Sequence, residues 1–71
     1  MTAEPLGPAL AAELGGTWDA MSRTVHIGHE QIGVDAFGAV WLETDDARLR
    51  LGSFSDGAAA LARRARRLGV A

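Results

Sequence analysis

Three groups of side chains carry whatever chemistry this chain has. They are His26 and His29 beside Glu30, Trp41 with Arg48 and Arg50 a few residues on, and the block Arg63, Arg64, Arg66 and Arg67. The histidines form the pattern H-x-x-H-E. In a regular strand, positions three apart face opposite sides, so both rings reach one metal only if the chain turns at Gly28. Two imidazoles and one carboxylate are a thin ligand set, and the expectation is surface histidines with no metal. Asp45-Asp46 lacks the spaced oxygens and distal glutamate of a calcium loop and reads as a solvated turn. Ser22, Ser53 and Ser55 have no nucleophile-elbow context, and Gly15-Gly16 lacks the spacing of a phosphate cradle. No nucleophile is matched with a base, so neither an enzyme nor a cofactor is expected.

Trp41 is the leading binding residue. A tryptophan on a wet surface beside arginine has the composition of an interface hot spot. The same neighbours also stiffen a hairpin through a cation–π pair. The expected partner-binding surface is Trp41, flanked by Arg48, Arg50 and His26, together with Glu43. The C-terminal arginines, Arg63, Arg64, Arg66 and Arg67, are candidates for contact with phosphate or an acidic partner. They also read as a solvated helix face, and without interleaved aromatics they form no base-stacking platform.

The elements that position these groups follow from periodicity. From Arg23 onward, apolar residues alternate with polar ones: Val25 and Ile27, Ile32 and Val34, Val40 and Leu42, Leu49 and Leu51. Such alternation predicts half-buried strands with one wet face. A turn at Asp45-Asp46 sets Glu43 opposite Arg48, Leu42 opposite Leu49, Trp41 opposite Arg50 and Val40 opposite Leu51, matching apolar to apolar and acid to base. Asp-Asp is a poor choice for a primed turn, which usually wants glycine. A three-residue turn at Ala36-Phe37-Gly38, with Gly38 left-handed, pairs Val34 with Val40 and Ile32 with Leu42. It puts Gly33 opposite Trp41, leaving room for the indole. A connection through Gly28–Gln31 places Ile27 against Ile32.

Ser55 and Asp56 are expected to start a helix, with Ala58, Leu61, Ala65 and Leu68 as its apolar stripe and Arg63, Arg66 and Arg67 pointing away. Gly69 supplies its left-handed cap and Val70 the apolar contact that accompanies such caps. At the other end, residues 1–7 read as a loose arm, and Pro8 opens a short helix that Gly15-Gly16 stops. Residues 17–23 suit either a further helical turn or an extended segment. Helix is favoured, because Trp18 and Met21 then share a face with Leu14. The sum is an α+β fold: a three- to four-stranded antiparallel meander packed by one C-terminal amphipathic helix, with a short N-terminal helical segment. Residues 8–71 form its single domain.

With 71 residues, two separate cores do not fit. The chain has no cysteine, which excludes disulfides, thiolate metal sites and cysteine nucleophiles. No apolar run approaches the roughly 20 residues of a membrane helix. No basic segment precedes an apolar one as in a signal peptide, so a cytoplasmic, membrane-free protein is expected. The net charge of −2 is the wrong sign for a free-standing nucleic-acid binder. All seven cations are arginine, which together with the many alanines fits the codon usage of a GC-rich genome such as that of an actinobacterium or its phage.

Gly33-Val34, Phe37-Gly38, Arg50, Leu51-Gly52-Ser53-Phe54 and Ala58-Ala59-Ala60 together resemble the plant ethylene-response-factor DNA-binding domain. The integrase arm-binding domains of mobile elements share that three-strand-plus-helix shape. The resemblance covers residues 32–69 and implies a small sheet backed by one helix. It also implies DNA binding through the exposed sheet face. At positions where the family carries arginines and a lysine, this chain has Asp35, Ala36 and Ala39, while Arg48, Arg50 and Trp41 keep the family's chemistry. The function expected is therefore a non-enzymatic interaction or regulatory module. It binds a protein partner or a second copy of itself, and a dimer would also bury the surplus of Leu6, Leu10, Leu14, Trp18 and Met21. The alternatives are a small DNA-binding regulator of the integrase-arm or excisionase kind, and an acidic phage inhibitor or DNA mimic.

Overall fold

A computed structural model describes residues 6–70. It is an α+β fold with helix α1 (Leu6–Leu14), strands β1 (Thr17–Asp19), β2 (Thr24–Ile27), β3 (Glu30–Val34), β4 (Ala39–Glu43) and β5 (Arg48–Ser53), a 3-10 turn at Phe54–Asp56, and helix α2 (Ala58–Arg67). The strands form one antiparallel meander in chain order, β1 to β5. Period-two alternation buries Val25, Ile27, Ile32, Val40, Leu42 and Leu51 beneath the helices, where Leu10 and Leu14 of α1 meet Leu61, Ala62 and Ala65 of α2. Both helices lie on this side of the sheet. Its other face carries His26, Gln31, Trp41, Glu43 and Arg50, and among the described residues no helix lies over it.

The sheet has five strands rather than three or four, because residues 17–19 are a strand and not the helical turn expected. Thr17, Trp18 and Asp19 pair with His26, Val25 and Thr24. Three residues are too few for alternation to register in sequence; the ladder to β2 and the packing of Trp18 decide the conformation. Met21 then falls in the β1–β2 loop and is exposed, not on a face with Leu14. Arg23 closes that loop at φ 55, a left-handed value that non-glycine residues seldom adopt.

Helix α1 begins at Leu6, so Pro8 is its third residue rather than its first; a proline within the first turn forfeits no intrahelical hydrogen bond. Of the proposed arm, residues 1–5 lie outside the described residues. Gly15 at φ 72 ends the helix, and the Gly16 amide donates to the Ala11 carbonyl at 2.8 Å. Helix α2 ends in the same way. Gly69 is at φ 102, its amide donates to Arg66, and the amide of buried Val70 donates to Ala65. These are the paired bonds of a glycine C-cap. The α2 stripe is Leu61, Ala62 and Ala65, with Ala58 at its margin. Leu68 drops out of the stripe because the helix stops at Arg67, which leaves Leu68 54% exposed. Ser55 and Asp56 belong to the 3-10 turn that precedes α2 and not to the helix itself.

Registers hold where turns fix them. Val34 pairs with Val40, Gly33 with Trp41 and Ile32 with Leu42, with Gly38 at φ 87 in the turn. Glu43 pairs with Arg48, Leu42 with Leu49 and Trp41 with Arg50. The β4–β5 turn avoids the primed conformation that Asp-Asp suits poorly. The Thr44 hydroxyl accepts the amides of Asp46 and Ala47, and the Thr44 amide donates to the Ala47 carbonyl.

Two registers differ from expectation. Val25, not Ile27, faces Ile32, because the β2–β3 connection is a two-residue turn with Gly28 at φ 57, and Glu30 already belongs to β3. At the far end of β5 a bulge makes Gly52, not Leu51, the partner of Val40. A Cβ on Gly52 would lie 2.5 Å from both Arg64 Nη1 and Asp56 Oδ2 and 2.9 Å from Leu61 Cδ2. Leu49, expected in the core, is 43% exposed on the edge strand, while Leu51 is buried.

Candidate functional site

The helix-free face is organised around Trp41. Its indole Nε1 donates to Asp35 Oδ2 at 3.3 Å, and the Arg48 guanidinium carbon stands 4.3 Å from the ring centroid. Arg48 Nε also meets Glu43 Oε2 at 3.2 Å. Acid, guanidinium and indole are thus stacked across β4 and β5, and the indole is half-buried rather than free. Exposed ion pairs contribute little stability, so the effect of this arrangement is chiefly to hold the three side chains in one geometry.

Asp35 was missed as a site residue. It sits at the end of β3, and its Oδ1 accepts the amides of Phe37 at 2.8 Å and Ala39 at 2.9 Å. That single carboxylate caps the β3–β4 turn and anchors the indole. The Ala39 amide, with those of Phe37 and the indole, holds its pKa below the ordinary value. A sequence signal did exist: an aspartate immediately before a glycine-closed turn commonly bonds the amide two residues on. Its second bond, to Trp41, depends on β3–β4 pairing.

The remaining expected site residues separate. Arg50 stands cross-strand from Trp41, with its Nε donating to the Gly52 carbonyl. His26 does not flank Trp41: it lies across β3 in the row of Gln31 and Glu43, whereas Trp41 shares a row with Thr24, Gly33 and Arg50. Gly33 does not serve as the indole's berth, since a Cβ there would meet nothing within 4 Å. The indole leans toward Asp35 and Arg48 instead. The four C-terminal arginines are not one patch. Arg64 Nη1 reaches Asp56 Oδ2 at 2.9 Å and the Leu51 carbonyl at 3.2 Å, and Arg66 reaches the Glu13 carbonyl. Arg63 and Arg67 stay exposed.

A groove of about 330 Å³ adjoins this face at the end of the sheet where α1 begins. Leu6, Trp18, Val34, Phe37 and Phe54 supply apolar walls, with Arg23 and Asp35 at the edge. Gly7 also lines the groove. Its missing side chain admits the Trp18 ring, three atoms of which would stand 2.5–2.6 Å from a Cβ. Phe37, at the β3–β4 tip, is 95% exposed. No protein-family model, curated protein or solved structure matches the chain. Among the described residues, no group of three His, Cys, Asp or Glu side chains could hold a metal ion. No described helix is long and apolar enough to cross a membrane.

Proposed function

We propose that this chain is a non-enzymatic interaction module that binds a protein partner through the helix-free sheet face around Trp41. The observation that carries the reading is the indole held between Asp35 and Arg48 on a face that neither described helix covers. Binding surfaces concentrate their energy in rigid aromatic and arginine anchors, and pre-organised anchors lose less entropy when the partner arrives. Glu43 and Arg50 flank the indole with opposite charges and fit a partner surface of mixed sign better than a polyanion.

Replacing Trp41 by alanine is expected to weaken partner binding roughly thirtyfold, the effect of losing one hot-spot residue, with the core intact. The test compares wild type and Trp41→Ala as immobilised baits, with thermal melts run in parallel. Equal recovery of the same partner by both baits would count against the sheet face. The DNA-binding alternative is separated by a gel shift at low salt. A binder loses affinity steeply between roughly 50 and 200 mM salt. Here Arg48 is already engaged by Glu43, which leaves Arg50 as the sheet cation for phosphate.

A further inference from the structure

We propose that the groove beneath the β3–β4 turn receives Phe37 from a second copy of this chain, in a reciprocal, two-fold exchange. The proposal goes beyond the sheet-face reading, because it uses a different surface and a different partner. The chain carries both halves of the contact. Phe37 projects from the tip of the turn at 95% exposure, lining the mouth of the groove without filling it. Beside it lies a space of about 330 Å³, with Leu6, Trp18, Val34 and Phe54 among its walls. A two-fold interface requires one patch to be complementary to itself, so a projecting ring next to its own receptor groove meets that requirement. A turn that kept Phe37 for its own core would fold it inward. Here Asp35 fixes the backbone so that the ring points out, through bonds to the amides of Phe37 and Ala39.

Charge agrees with this occupant. The groove's edge carries one base and one acid, Arg23 and Asp35. Across a two-fold axis each can face the other's counterpart, whereas a surface of one sign would repel its own copy. Arg23 Nε donates to the Val34 carbonyl at 3.1 Å, so the guanidinium is held at the groove with its terminal nitrogens still able to reach a carboxylate. The β5 edge of the sheet is a poorer route to self-association. On edge strand β5, the carbonyls of Leu51 and Gly52 are taken by Arg64 and Arg50, and the bulge at Leu51 interrupts the ladder.

Sedimentation equilibrium over a wide concentration range tests the proposal, on wild type, Phe37→Ala and Trp41→Ala. Wild type is expected to form dimers. Phe37→Ala removes both exchanged rings and is expected to weaken the dimer about a hundredfold or more. Its fold should survive, because the ring is exposed and its amide still binds Asp35. Trp41→Ala keeps Phe37 and the groove walls but removes one bond to Asp35, so it should cost the dimer far less than Phe37→Ala does. A photocrosslinking residue at position 37 should attach to Leu6 or Trp18 of the other copy. Wild type that stays monomeric into the millimolar range would overturn the exchange while leaving the sheet-face reading standing. So would a dimer that Phe37→Ala leaves unchanged, or one lost in Trp41→Ala but kept in Phe37→Ala.

Discussion

Gly7→Ala is the substitution for which local and tertiary physics disagree most sharply. By helix propensity it should stabilise: Gly7 lies inside α1, and alanine is favoured over glycine by up to about 1 kcal/mol there. Tertiary contact says the reverse. The added Cβ would stand 2.5 Å from Trp18 Cε3 and Cζ3 and 2.6 Å from Cδ2. Carbon atoms rest at about 3.5–4.0 Å, so a flat ring pressed at three atoms must retreat by roughly 1 Å. Trp18 is paired through β1 to β2, so the retreat strains either the strand or the rotamer. Overpacking of this kind costs about 1–3 kcal/mol. Set against the helix gain, reduced so near the helix end, the net is a loss of about 1–2 kcal/mol. For a domain of this size that lowers the melting temperature by roughly 4–15 °C.

The assay is thermal unfolding followed by circular dichroism, with Gly33→Ala and Gly15→Ala as companions. Gly33 has open space at its Cβ and no left-handed φ, so alanine should be neutral or raise the melting temperature by a few degrees. Gly15 also has open space but sits at φ 72, so alanine there should lose about 1 kcal/mol through backbone strain alone. A Gly7→Ala protein that melts at or above wild type would refute the reasoning. So would one no less stable than Gly33→Ala.

Three further expectations concern the acids, β5 and the edge of the groove. Asp19, Asp35 and Asp56 all have pKa values held below the ordinary 3.8, through hydrogen bonds led by the Ser22 side chain and by the Ala39 and Ser53 amides respectively. The unfolded chain therefore binds protons first as the solution is acidified. The stabilisation from these groups is full above the ordinary carboxylate range and is lost as pH falls through the lower folded values. Urea unfolding at a series of pH values should show that loss, and Asp35→Asn should make it smaller; an unaltered acid limb in Asp35→Asn would contradict the geometry. Gly52→Ala should lose about 1–3 kcal/mol because Arg64, Asp56 and Leu61 occupy the space of the new methyl. A chemical denaturation midpoint equal to wild type would show that α2 does not approach β5 so closely. Gly38→Ala should also destabilise, since φ 87 and a Phe54 atom 2.8 Å from the added Cβ both oppose it; a differential scanning trace matching wild type would disprove that.

How much was legible in the chain can be followed residue by residue. The β3–β4 register was readable because Gly38 fixes the loop and the flanking valines admit one alignment that turns both toward the core. The C-cap of α2 was readable because Gly69 and Val70 are local signals with a local consequence. The triad of Trp41, Arg48 and Glu43 was readable because it lies within one hairpin. His26 was misplaced beside Trp41 because neighbours across two strands depend on the β2–β3 register, and a two-residue turn at Gly28 shifts that register.

The sequence by itself determined what short-range periodicity and backbone stereochemistry control: alternating strands, glycine-closed turns and one arginine-faced amphipathic helix. Tertiary structure decided what depends on the approach of distant segments. Residues 17–19 became a strand because β2 offered a ladder and Gly7 made room for Trp18. Position 52 in β5 has no room for a side chain because Arg64 and Leu61 of α2, with Asp56, close over it. The groove exists because the start of α1, the β3–β4 turn and Phe54 meet at one end of the sheet without filling the space between them. None of these has a local signature, since each is a question of volume between residues far apart in the chain, and volume is settled only when the core is packed.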